Sequence, residues 1–345
     1  MRIKGLDFLR GIAILLVLFR HNNLGDNYLY HFGWLGVDLF FVLSGFLVSG
    51  LLFKEYKKRG TVNIKRFLIR RGFKIYPPFY FFVLFTLSFH WYETHSMYPL
   101  GKILSELLYV QSYFPRIWIH TWSLAVEEHF YLALSVFIFL VVKYQSIGKK
   151  NFIIVFLTSL IVLSFAMRYY VSYPHRNNAV FGFVQTHLRA DGILIGVLVS
   201  YLFHFTNFNQ FFIKNKYLFF LIAIALIIPA FIFKGGSFFM NTWGLSMVNM
   251  GFGIFTLWSI NTTIFEKKWN STLSSVFAFI GVHSYSIYLW HLNALHFSEK
   301  YLDPKSITTS FVFFASSILI GSFFSIIIEK PFLKIRDRIT RIKTT

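Results

Sequence analysis

Arg10 and His21 stand eleven residues apart in the first apolar stretch of the chain. On an α-helix that spacing is three turns plus about 20°, so both side chains face the same way, about 16.5 Å apart along the axis. A guanidinium is a permanently charged bidentate donor and suits phosphate. An imidazole suits general-base work on a hydroxyl. The pair also reads as an anchoring Arg and an interfacial His, common at helix ends, and spacing alone leaves both readings open.

Three further segments place polar groups where apolar ones are expected. In Trp122-Ser123-Leu124-Ala125-Val126-Glu127-Glu128-His129-Phe130-Tyr131, two adjacent carboxylates point about 100° apart on a helix, so at most one lines a cavity shared with His21. Either Glu127 or Glu128 could orient His21 or stabilise its imidazolium, as a carboxylate does in a triad, or neutralise one buried Arg. In Leu188-Arg189-Ala190-Asp191-Gly192 the two charges are two residues apart and do not face each other, so each needs a partner on another helix. His187 and Asp191 are four apart, but two ligands are too few for a closed metal site, and no metal is expected. Ser284-Tyr285-Ser286-Ile287-Tyr288-Leu289-Trp290-His291 offers hydroxyls and rings that suit a sugar, or an interfacial aromatic belt. Asp38 completes the set of ionisable residues inside apolar runs. Such residues cost several kcal/mol unless paired or hydrated, so each is a functional candidate. Gly192-x-x-x-Gly196 reads as helix packing. The glycine-rich phosphate loop, His-Glu-x-x-His and Gly-x-Gly-x-x-Gly are absent, which disfavours ATP hydrolysis, zinc proteolysis and dinucleotide binding.

These residues must be positioned by a membrane bundle. Of 345 residues 56% are hydrophobic and 14% charged, Phe supplies 46, and the mean hydropathy is +0.57. A water-soluble globule could not hide so much apolar surface, and disorder carries the opposite composition. With no cysteine, disulfides, thiolate metal sites and cysteine nucleophiles are excluded. The net charge of +20 does not indicate nucleic acid, because the basic residues sit in short runs between apolar stretches. His21-Asn22-Asn23 is no signal-peptide cleavage site, so the first stretch reads as a retained helix.

The sequence predicts an all-α integral membrane protein, a single polytopic domain over 1–345 with a basic tail over 330–345. A bilayer core of about 30 Å needs about 20 apolar residues per helix. Ten stretches qualify: Phe8–Asn22, Val37–Phe53, Ile75–Phe89, Leu124–Val142, Phe152–Tyr170, Leu188–Phe205, Leu218–Phe233, Gly244–Ile260, Val276–Leu292 and Ser310–Ile328. Ten crossings put both termini on one side. That side holds 24 Lys and Arg, nine of them in Lys54–Lys74 and six in Lys330–Lys343, against eight opposite, so it is cytoplasmic. The loop from His90 to Thr121 is then extracytoplasmic.

Together these segments resemble membrane acyltransferase family 3, whose members O-acylate bacterial surface polysaccharides and related acceptors. Asp7-Phe8-Leu9-Arg10 with His21 is similar to its Arg-x10-His signature, and Gly36-Val37-Asp38-Leu39-Phe40-Phe41-Val42-Leu43-Ser44-Gly45-Phe46 to its second-span hallmark. Phe67-x3-Arg71-x2-Lys74 followed by Ile75-Tyr76-Pro77 resembles the basic motif before the third span. Trp122–Tyr131, Arg189-Ala190-Asp191, Ser284–His291 and Glu329-Lys330-Pro331 fall at expected family positions. Lys74 stands where Arg is usual, keeping charge and losing bidentate geometry.

The resemblance implies a plasma-membrane O-acyltransferase that takes an acyl group, acetyl above all, from cytoplasmic acyl-CoA to a carbohydrate hydroxyl, with no permanently bound cofactor. His21 is the implied base or transient acyl carrier and Glu127 its assistant. Arg10, Arg71 and Lys74 are the implied ligands of the CoA phosphates. Asp38, Glu128, Arg189, Asp191, Tyr285 and His291 are implied to serve acceptor binding or architecture. Family members often carry a soluble esterase-like domain after the last span, and no fused domain is expected here. The rival reading is a transporter of a lipid-linked saccharide, in which the intramembrane charges mark a path. The lack of visible internal repeats counts against it.

Overall fold

A computed structural model of the chain describes residues 3–22, 28–177, 183–262, 264–265 and 271–340. Among them every regular element is helical: α1 (Lys4–His21), α2 (Tyr28–Phe32), α3 (Leu35–Arg59), α4 (Ile64–Thr94), α5 (Leu100–Leu107), α6 (Trp122–Lys143), α7 (Lys150–Ser172), α8 (Thr186–Phe205), α9 (Phe208–Lys214), α10 (Lys216–Ile227), α11 (Pro229–Ile232), α12 (Leu245–Ile260), α13 (Ser271–Tyr301), α14 (Ile307–Phe324) and α15 (Lys330–Ile339). Residues 341–345 of the basic tail lie outside the described residues.

Among the described residues six helical stretches are long and apolar enough to cross a bilayer: Tyr30–Arg59, Trp122–Lys143, Lys150–His175, Thr186–Phe205, Thr272–Tyr301 and Ile307–Ile339. A seventh results if the pair Phe208–Lys214 and Lys216–Ile232, bent by 92°, is one span. The six contain the second, fourth, fifth, sixth, ninth and tenth expected spans. The other expected spans depart from a plain apolar helix for visible reasons. α1 carries Lys4, Asp7, Arg10 and Arg20. α4 opens with a basic stretch and holds Pro77 and Pro78 inside its 31 residues. The seventh expected span is divided between α10 and α11 at Pro229. α12 has 16 residues and is preceded by a π-helical turn, Met240–Gly244.

The contacts divide the chain into two compact units. The first comprises Met1–Arg20, Tyr28–Val62 and Val126–Gly281. Its core is built from Leu6, Leu9 and Ala13 of α1, Leu35, Leu39, Val42 and Phe46 of α3, and Val248 and Phe252 of α12. α3 and α8 approach until backbone touches backbone: a Cβ on Gly45 would collide with the Ile193 carbonyl, and one on Gly196 with the Val42 carbonyl. Gly196 therefore does the packing expected of it, as small residues do where membrane helices cross closely. The second unit comprises His21–Asn27, Asn63–Ala125 and Val282–Thr345. There the Trp290 ring of α13 stacks on Phe324 of α14 at 4.0 Å and takes Phe82 of α4 edge-on at 5.4 Å.

One buried ion pair ties three helices of the first unit. Arg168 of α7 and Asp191 of α8 are both fully buried and lie 2.8 Å apart. The same guanidinium donates to the Leu188 carbonyl at 2.8 Å and to Ser246 Oγ of α12 at 2.7 Å, while Ser246 donates to Asp191 at 3.1 Å. Arg168 lies within the fifth expected span, Phe152–Tyr170, and Asp191 neutralises it there. Removing one partner of such a pair strands the other charge. Arg168→Leu is therefore expected to cost about 3–5 kcal/mol, and replacing both partners with apolar residues to recover much of the loss. Thermal unfolding in detergent checks this, and an Arg168→Leu protein that melts with the wild type would contradict it.

Candidate active site

His21 is the last residue of α1, and that helix is continuous from Arg10 onward, as the eleven-residue spacing requires. In the second unit His21 Nδ1 meets His291 Nε2 of α13 at 3.2 Å, across 270 residues of sequence. The other nitrogen of His291, Nδ1, lies 2.7 Å from the Tyr288 carbonyl. A carbonyl only accepts, so His291 Nδ1 carries the proton, and in the neutral ring Nε2 is then an acceptor. His21 must donate from Nδ1 to that acceptor. This fixes the His21 tautomer whose basic nitrogen is Nε2, as the hydrogen bond on one ring nitrogen does generally. The next residue, Asn22, is buried and accepts from Ser310 Oγ of α14 at 2.7 Å, which anchors the end of α1.

A third imidazole adjoins this pair. The ring of His120, in the loop before α6, has its centroid 5.0 Å from His291 and 5.4 Å from Tyr288. His120 is 2% exposed. Burial, reinforced by the neighbouring His21, pushes its imidazole down to about 3, against the opposing effect of the Leu289 backbone. Its carbonyl accepts from Tyr288 Oη at 2.7 Å, and Ser123 Oγ lies 2.7 Å from the same Tyr288 oxygen.

The loop that carries His120 is held by a buried carboxylate. Glu106 of α5 accepts from Thr121 Oγ1 at 2.9 Å and from the backbone N–H groups of Ile117 and Trp118 at 3.0 and 3.4 Å. Gln111 donates to the Thr121 carbonyl at 3.0 Å. Neither Glu106 nor His120 is singled out by the sequence reading, which looks only for ionisable residues inside apolar runs. The available signal is position, since His120 directly precedes the Trp122–Tyr131 stretch.

The other candidates of the second unit lie on α4 and α13. Lys74 pairs with Glu329 at 3.3 Å, and Glu329 also accepts from Ser286 of α13 at 3.1 Å and from Ser325 at 3.2 Å. Arg71 lies 6.0 Å over the Phe67 ring. Tyr285 Oη donates to the Ile75 carbonyl at 2.9 Å, beside the two prolines of α4.

In the first unit Arg189 and Asp191 take partners on separate helices, as their spacing requires. Arg189 donates to Asp38 of α3 at 2.7 Å, and Asp191 belongs to Arg168. Glu127 accepts from Tyr131 Oη at 2.7 Å. With the Tyr131 proton so engaged, Ser44 donates to its oxygen at 2.7 Å, giving a relay from Ser44 through Tyr131 to Glu127. Glu128 is buried and Arg10 half-buried. A groove of about 590 Å³ between α6, α7 and α8 is lined by apolar side chains such as Phe130, Leu134 and Leu157, with His129 and Thr186 also on its wall. Among the described residues no three metal-ligating side chains come together.

The Acyltransferase domain family matches residues 3–330, nearly the whole chain. The chain belongs to this family of acyltransferases, and the resemblance carried by the seven motifs is thereby confirmed. It is 30% identical over 96% of its length to a Staphylococcus aureus (strain COL) protein provisionally named an O-acetyltransferase, and covers 57% of that protein. It is 25% identical to the peptidoglycan O-acetyltransferase OatA of Listeria monocytogenes, covering 96% of this chain and 56% of that one. With the O-acetyltransferase OatA of Staphylococcus aureus (strain NCTC 8325) the identity is 26%, over 87% and 51%. The chain thus spans little more than half the length of these relatives. No solved structure matches the chain significantly.

The loop clamp has a consequence for pH. Burial pushes Glu106 up to about 7, against the hydrogen bonds from Thr121, Ile117 and Trp118. A carboxyl group raised in the folded state binds its proton more tightly there than in the unfolded chain. Its stabilisation is full below about pH 4.5 and lost as pH rises through about 7. The unfolding temperature in detergent is expected to fall between about pH 4.5 and 7, and to fall less in Glu106→Gln. Equal pH dependence in the two proteins would contradict the assignment.

Proposed function

We propose that this membrane acyltransferase is an O-acetyltransferase of the plasma membrane that moves an acetyl group from cytoplasmic acetyl-CoA to a carbohydrate hydroxyl at the outer face. The observation that carries the reading is the bond from His21 Nδ1 to His291 Nε2, because it leaves the basic nitrogen of His21 defined. In the proposed reaction His21 Nε2 takes the proton of the acceptor hydroxyl while its oxygen bonds to the thioester carbonyl carbon. The carbonyl π pair moves onto oxygen, then reforms the double bond as the carbon–sulfur bond breaks. The thiolate leaves with the proton from His21, and the products are an ester and free CoA. A brief acyl-His21 intermediate would use the same nitrogen. His291 orients the ring, and Glu127 keeps the assisting role that its place in the family motif implies.

On the donor side, Arg71 and Lys74 are assigned to the CoA phosphates, and Arg10 is the further cation that the family signature implies. Lys74, held by Glu329 at 3.3 Å, and Arg71 lie within one turn of each other in the basic first part of α4, which supports this assignment. Tyr285 belongs to architecture through its bond to Ile75, and Asp38, Arg189 and Asp191 to the packing of the first unit. Glu128 is assigned to the acceptor side or to structure. The proposed topology has ten crossings with both termini cytoplasmic, and it supplies the two faces that donor and acceptor require.

Two experiments test this reading. Loss of a general base costs roughly 10²–10⁴-fold, so His21→Ala is expected to abolish thiol release from acetyl-CoA while the protein still reaches the membrane. Wild-type turnover in that variant would end the assignment. For topology, a cysteine placed near Lys58 should resist an impermeant thiol reagent in intact cells, and one near His95 should react. The chain has no native cysteine to confuse the result. The reverse labelling would invert the proposed orientation.

A further inference from the structure

His120 is costly to the protein as it stands. It is 2% exposed, and neither ring nitrogen has a hydrogen-bond partner of good geometry. An unsatisfied buried polar group is destabilising. The surroundings fix it there regardless. Tyr288 grips its backbone carbonyl, and the next residue, Thr121, is held from both sides by Glu106 and Gln111. Its ring is thereby locked 5.0 Å from that of His291, the residue that holds His21. Two imidazoles of this cluster satisfy each other and a carbonyl, and the third makes no hydrogen bond of good geometry, the Leu289 backbone being its nearest polar neighbour.

We infer that His120 is a further catalytic residue, whose ring N–H donates to the carbonyl oxygen of the acyl group undergoing transfer. The inference rests on the proposed role of His21 in acyl transfer. When the acceptor oxygen adds to the thioester carbon and the π pair moves onto the carbonyl oxygen, that oxygen becomes an anion and needs a donor already in place. A fixed donor aimed at developing charge needs no reorganisation during the reaction. A neutral imidazole serves this purpose because it can donate its N–H without also protonating the oxyanion. Burial keeps His120 in that form at neutral pH. The tetrahedral adduct then collapses by expelling thiolate, and the His120 proton stays on its nitrogen throughout.

The test uses the full-length protein in detergent with acetyl-CoA as donor and water as acceptor, since hydrolysis passes through the same oxyanion. Losing one oxyanion donor costs roughly 10²–10³-fold in kcat. His120→Phe, which keeps ring volume but has no N–H, is expected to show that loss with KM unchanged. His120→Gln, which keeps a donor, is expected to recover part of it. The inference is overturned by a wild-type rate in His120→Phe, by a raised KM with kcat unchanged, or by equal losses in the Phe and Gln variants. A loss that tracks a lowered unfolding temperature would also overturn it, since packing then accounts for the effect. His21→Ala is measured alongside. If it retains turnover, or if the wild type shows none, the acyl-transfer reading of the site fails. If His21→Ala is inactive and His120→Phe is fully active, only the role of His120 fails.

Discussion

In a bilayer interior no water stands ready to satisfy a stray charge or hydrogen-bonding group, and each must find its partner within the protein. That constraint organises this chain. The Arg168 guanidinium is a large side chain with no exposed surface, and it is answered by Asp191, Ser246 and the Leu188 carbonyl together. Asp38 and Arg189 answer each other between α3 and α8. The apolar residues set which faces of the helices are buried, but a membrane offers little hydrophobic drive between helices. These pairs, and the close glycine crossings beside them, specify which helix meets which.

The same requirement gives the site its asymmetry. Around His21 the hydrogen bonds run in one direction: His21 donates to His291, and His291 donates to the Tyr288 carbonyl. A carbonyl at the end of the series cannot reverse it, so the ring tautomers are set by backbone that is itself part of a helix. Tyr288 acts twice, since its hydroxyl also fixes the His120 backbone. One turn of α13 thus positions two imidazoles, and a buried carboxylate on α5 steadies the loop that brings the second.

What could be read from the sequence follows from which distances are local. Arg189 and Asp191 point in different directions on one helix, and that alone demanded two separate partner helices, which exist. Six of the ten apolar stretches coincide with long apolar helices, though hydropathy underestimates their length. α4 and α13 each run 31 residues because their ends are polar helix outside the apolar window. Arg168 escaped because a single Arg near the end of an apolar run looks like a boundary residue. His120 and Glu106 escaped because a loop is expected to be polar, and nothing local shows that these two become buried. His291 was visible as one ring among several, but its bond to His21 joins residues at opposite ends of the chain and has no local signature.

The central claim is that His291 fixes His21 with its proton on Nδ1 and its lone pair on Nε2. Nitrogen-15 spectra of the histidine-labelled protein report this directly, with the His21 signals identified by their loss in His21→Gln. The account predicts a protonated Nδ1 and a bare Nε2 in the neutral ring, and a mixture of tautomers once His291 is replaced by Phe. A neutral His21 that carries its proton on Nε2 in the wild type would contradict it.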